Sequence, residues 1–157
     1  MVSAISDFLA AVAVVASLLY LAKQVSDGKN TTQSATHFQV TEALNSAFAT
    51  IMQDPDLFRI YKIGNQDPTQ LDSDDTTRYL ALVGGIFARY NNYYLQFANG
   101  TLSEEPWKIA VNHMKLMLVL PGVQYWWEKN RQNYLSGMAE ILDQALLEYR
   151  NGAQQNT

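Results

Sequence analysis

Fifteen consecutive residues, Phe8 to Ala22, carry no charge, and only Ser17 and Tyr20 among them bear hydroxyl groups. Counting back to Val2 gives 21 residues with one charge, Asp7. A helix of that length, at about 1.5 Å per residue, matches a bilayer hydrocarbon core of about 30 Å. The run is also apolar all round, whereas a surface helix shows a polar face. A secretory signal needs a basic residue before the apolar stretch and a small-x-small cleavage site after it. Met1 to Asp7 has no basic residue, and "LAKQVSDG" is a poor cleavage site. The expectation is therefore a retained single-pass transmembrane anchor; a buried soluble helix and a cleaved signal are the alternatives. Lys23 and Lys29 follow the run and nothing basic precedes it, so the positive-inside rule places the C-terminal part in the cytoplasm.

Ser6, Ala10, Ala13 and Ser17 recur at i, i+4, i+7 and i+11, a stripe of small residues down one side of the anchor. In lipid such a stripe lets helix backbones approach closely. It is a candidate seam for a protein partner's membrane helix or for a homo-oligomer. The plain alternative is that Ala and Ser are common in such helices. Phe8, Leu9, Val12, Val15 and Leu19 form the bulkier surface.

Beyond the anchor the pattern is helical throughout. Leu44, Phe48, Ile51 and Met52 share a face of a segment from about Thr32 to Gln53. Asp54 suits an N-cap, Pro55 a first helical position and Gly64 a stop. Asp72 caps a long helix, with Leu80, Val83, Phe87, Tyr90, Tyr94 and Phe97 on one side, ending at Asn99-Gly100. Ser103 caps another, striped by Trp107, Val111, Met114 and Leu118 and broken at Pro121-Gly122. "VQYWWEKN" is a short aromatic piece, and Ser136 opens a last helix with Met138, Ile141, Leu142, Ala145 and Tyr149 inward. No segment alternates as a strand would. The predicted fold is all-α: an anchor and juxtamembrane turn over 1–27, a compact bundle of about five helices over 28–150, and a frayed polar tail over 151–157.

The segments "AVAVVASLLYLAKQ", "DPDLFRIYKIG", "ARYNNYYLQFANGTLSEEPW" and "LPGVQYWWE" resemble a widespread, uncharacterised bacterial family. Its members are small proteins with one N-terminal membrane segment and a helical domain. The resemblance covers nearly the whole chain. It implies that architecture in a bacterial inner membrane, and no activity. Typical members carry more basic residues after the membrane segment than the two lysines of "KQVSDGKN".

Chemistry-bearing patterns are sparse. The net charge of −4 lacks the clustered cations of a nucleic-acid surface, and the chain has no cysteine for disulfides, thiolate sites or nucleophiles. The two histidines, His37 and His113, belong to no H-E-x-x-H or Glu-x-x-His pattern, so no metal is expected. "VGGIF" lacks the Lys-Ser/Thr of a phosphate loop; Gly84 and Gly85 suit a close helix crossing or a ligand notch. Aromatic density is the anomaly. Tyr90, Tyr93 and Tyr94 follow Arg89 on one helix, Trp126 and Trp127 sit on another, and Trp107 lies between. These residues suit a core or a groove for a partner helix or small apolar ligand. Arg89, if buried, needs a carboxylate, for which Glu128 is the candidate. The expected function is a non-enzymatic, cofactor-free accessory or interaction subunit of a larger membrane complex. A membrane-tethered sensor using the aromatic groove is the alternative, and no pattern supports an enzyme.

Overall fold

The first helix, α1 (Val2–Gln53), runs unbroken for 52 residues, about 78 Å at about 1.5 Å each. The computed structural model describes the backbone of residues 2–155 and the side chains of residues 9–152. The expected juxtamembrane turn is absent: the helix passes straight through Asp27 and Gly28. Two local facts explain this. No proline interrupts the stretch, and one helical glycine costs only about 1 kcal/mol. Thr31 and Thr32 also turn their hydroxyls back onto the carbonyls of Asp27 and Gly28, each at 2.9 Å, so neither needs an outside partner.

Helix α1 is bipartite in its surroundings. Residues 9–32 are exposed throughout. From Gln33 an inward face begins, and Val40, Leu44 and Ile51 are buried at helical spacing. Phe48 is half-buried, but Met52 is exposed, because it lies one residue past the stripe that meets the domain.

Five further α-helices follow: α2 (Pro55–Gln66), α3 (Ser73–Ala98), α4 (Glu104–Met117), α5 (Pro121–Asn130) and α6 (Ser136–Gln155). Short 3-10 turns lie at Pro68–Gln70 and Arg131–Asn133. No strand occurs among the described residues. Asp54 Oδ1 accepts from the amides of Asp56 and Leu57 at 2.9 and 3.1 Å, and Asp72 Oδ1 from that of Asp75 at 2.8 Å, as N-caps do. Ser103 occupies the cap position of α4 without a capping hydrogen bond. Of the tail, helix α6 takes in residues up to Gln155, so it does not fray at 151; the last two residues lie outside the described ones.

Helix α3 is the axis of the domain, with α1, α2, α4 and α5 packed on it. Its predicted stripe is right but too narrow. Val83, Phe87 and Tyr90 are buried, Leu80, Tyr94 and Phe97 half-buried, and Tyr79, Ile86 and Tyr93 are buried as well. A helix covered from several directions buries more than one stripe. In α6, Met138, Leu142 and Ala145 point inward and Ile141 is half-buried, whereas Tyr149 is exposed beyond the last packed turn.

The glycines that matter for packing are not the expected pair. A Cβ on Gly84 would meet only the Trp126 ring at 3.5 Å, and one on Gly85 the Arg89 guanidinium at 3.4 Å. Both are near ordinary contact. A Cβ on Gly122 would lie 1.8 Å from the Gly64 carbonyl oxygen, and one on Gly64 2.3 Å from the Tyr79 ring. Gly64 therefore sits inside α2 as a contact point for α3 and α5 rather than as a stop signal.

Burial in this core raises four tyrosines above their ordinary range, Tyr61 among them. Tyr90 and Tyr134 are pushed up to about 12, and Tyr79, whose hydroxyl donates to Asn65 Oδ1 at 3.0 Å, goes further. A phenol whose folded pKa exceeds its unfolded value stabilises the fold fully below the unfolded value of 10.0. That contribution falls away as pH rises from there toward the folded values. Tyrosinate absorbance in a pH titration should therefore show these four ionising late, together with the loss of tryptophan fluorescence that marks unfolding. Ionisation of every tyrosine near pH 10 with the fold intact would contradict their burial.

Candidate functional site

Three features were candidates: the small-residue stripe, the aromatic groove and the glycine pair. On the stripe, Ala10, Ala13 and Ser17 are exposed, and Ser6 lies outside the residues whose side chains are described. Ser17 Oγ donates to the Ala13 carbonyl at 2.8 Å, which satisfies the hydroxyl within its own helix. Around the stripe Leu9, Val12, Val15 and Leu19 are all exposed. Among the residues whose side chains are described, the most apolar 18-residue window of this helix has a mean hydropathy of 1.7, and none of it is buried. Length and composition suffice to cross a membrane.

The seven residues of the expected aromatic groove do not form one groove. Trp126 and Trp127 are buried in the core, with ring centroids 5.0 and 5.7 Å from Phe87. Trp127 Nε1 donates to Asp143 Oδ1 at 2.9 Å, and Arg131 pairs with the same carboxylate. Trp107 stacks on Phe97 at 5.4 Å and meets Tyr94 at 5.5 Å, where α3 faces α4. Arg89 does not reach Glu128, which pairs with Arg150. Its guanidinium donates instead to two carbonyls, Ala43 at 2.9 Å and Gly85 at 2.7 Å, tying α3 to α1. Backbone acceptors replace the carboxylate because the side chain is only partly buried and keeps water on its other face.

Trp107 and Trp127 border two separate surface clefts, and Tyr90 and Tyr93 together line a third opening. It is a cleft of about 220 Å³, floored by α3 and walled by α1 and α4. Leu44, Phe48 and Ala110 make its apolar surface. Thr41 and Tyr93 share a hydrogen bond of 2.9 Å between their hydroxyls at the α1–α3 seam. Asn45 joins them, and both histidines of the chain face in, His37 from α1 and His113 from α4. The contribution of α1 was missed, although its signal was present: His37, Thr41, Leu44, Asn45 and Phe48 recur at helical spacing. Without α3 and α4 in place, nothing marks that face as a wall rather than core.

The remaining charges knit the fold. Asp56, Arg59, Asp75 and Arg78 interlock between α2 and α3, with Arg59 Nη2 2.6 Å from Asp75 and Arg78 Nη1 2.7 Å from Asp56. Hydrogen bonds from Arg59 and Arg78 hold the Asp56 carboxyl below its usual range. Most of this network is open to water, where such pairs contribute little each. Among the described residues no three His, Asp or Glu side chains converge as a metal site. No family model matches this chain, and neither a curated protein nor a solved structure does.

Proposed function

We propose that the chain is a single-pass, non-enzymatic interaction subunit of a larger bacterial membrane complex, with its helical domain on the cytoplasmic side. The observation that carries this reading is the exposure of residues 9–22: an uncharged, predominantly apolar helical segment that its own domain does not cover. In water such a surface would associate. In lipid it needs no cover, because its backbone hydrogen bonds are internal. The resemblance to small bacterial membrane proteins supports the same arrangement, and Lys23 and Lys29 support a cytoplasmic domain. Continuity of α1 adds a geometric consequence. Gln33 lies eleven positions beyond Ala22, so the domain stands about 16 Å along the helix from the end of the apolar run. A partner met through the small-residue stripe is thus presented with the domain at a fixed height.

Alkaline carbonate washing of membranes should leave the protein in the pellet, and protease added to intact spheroplasts should leave the domain uncut. Release of the full-length chain by the wash, or digestion in spheroplasts, would refute the anchor or its orientation. Replacing Ala10 and Ala13 with Leu keeps the segment apolar and fills the stripe. Membrane retention should persist while proteins copurifying from gently solubilised membranes are lost. An unchanged set of copurifying proteins counts against the seam.

A further inference from the structure

We infer that the cleft between α1, α3 and α4 binds a small aromatic carboxylate, its ring on the apolar floor and its carboxylate between His37 and His113. This goes beyond the anchored-subunit reading and does not rest on it. Size is the first argument. An apolar cavity of about 150 Å³ accepts a benzene ring. At about 220 Å³ this cleft has room for one ring and one substituent, and it is too small for a dinucleotide or a partner helix to enter.

The lining decides what the substituent is. Leu44, Phe48 and Ala110, with the Tyr90 ring, offer a ring its contacts. The polar groups are two imidazoles, the Asn45 carboxamide and the Thr41 and Tyr93 hydroxyls, and every one of them can donate a hydrogen bond. Thr41 and Tyr93 bond to each other at 2.9 Å, which uses one hydroxyl proton and leaves the other to donate elsewhere. No Asp, Glu, Lys or Arg lines the cleft. A cationic ligand would find no counter-charge there, and a purely apolar one would make no use of the donors. A carboxylate satisfies several donors at once, and its own charge strengthens each of those hydrogen bonds. The two imidazoles reach the opening from different helices, which suits two-sided recognition of one planar group.

The test uses the full chain in detergent micelles and two probes with the same ring and opposite charge, benzoate and benzylammonium. The chain has two histidines, so its imidazole Cε1–H signals are assigned by the single variants His37→Phe and His113→Phe. Benzoate should move both signals saturably, and benzylammonium should not. Both side chains are exposed, so the double variant keeps its core. Saturation transfer to the benzoate ring protons should show that it binds about tenfold more weakly, the effect of losing a charge-assisted hydrogen bond. Absence of saturable movement with benzoate overturns the site. Equal movement with benzylammonium, or wild-type affinity in the double variant, overturns the carboxylate assignment. The wild-type comparison needs no substitution, so it stands even where a variant is poorly folded.

Discussion

Trp126→Ala should lower the melting temperature of the helical domain by about 10–20 °C, the thermal equivalent of a loss of about 3–5 kcal/mol. Trp126 is 3% exposed. Its ring sits 5.0 Å from that of Phe87, 6.3 Å from Trp127 and 5.7 Å, edge-on, from Tyr134. Phe87 in turn meets Tyr90 at 6.1 Å, so α3 and α5 share one aromatic cluster. Truncation removes one of the two tryptophan rings from it and leaves a cavity that rings cannot collapse into, because their planes are fixed by several neighbours. Against a domain stability of about 5–15 kcal/mol, that is a large fraction. Tryptophan fluorescence is the right probe. The three tryptophans, Trp107, Trp126 and Trp127, all lie in the domain, so the signal ignores the part of α1 that detergent holds helical. A variant that melts with the wild type would mean that Trp126 lies on an exposed face and not in this cluster.

The aromatic residues show where a one-dimensional reading stops. Tyr90 was legible as core because it continues the Val83–Phe87–Tyr94–Phe97 stripe, and Trp126 because it follows the Pro121-Gly122 break that folds the chain back. Their grouping into one groove with Tyr93, Tyr94 and Trp107 was not, because residues on one helix can face in different directions. Tyr93 turns to α1 and Tyr94 to α4 and α6, three and four residues from Tyr90. The same limit governed Arg89. Its partners are carbonyls on α1 and α3, and backbone acceptors leave no mark in a sequence. The Thr41–Tyr93 bond spans 52 positions, and only the packed fold brings its ends together. The apolar run at residues 8–22 was legible outright, since composition alone sets its solvent preference.

The glycines carry the other large effect. Gly122→Ala should destabilise the domain by about 2–3 kcal/mol or more, at the upper end for overpacking, whereas Gly84→Ala should be neutral or slightly stabilising. The warrant is distance. At Gly122 the added methyl would fall 1.8 Å from the Gly64 carbonyl oxygen and 2.5 Å from the Tyr79 hydroxyl oxygen. Neither neighbour is a free side-chain end. The first is backbone of α2, and the second is held by its hydrogen bond to buried Asn65. Relief requires α5 to move away from α2, which disturbs the contact between helices that both pack on α3. At Gly84 the methyl would meet the Trp126 ring at 3.5 Å, an ordinary contact, and the change removes a helical glycine worth about 1 kcal/mol of propensity. Both substitutions add the same single carbon to a helix, so propensity alone predicts the same sign for both. Opposite signs in paired thermal melts would isolate the steric term, and a Gly122→Ala protein as stable as Gly84→Ala would show that α2 and α5 do not approach as closely as this packing requires.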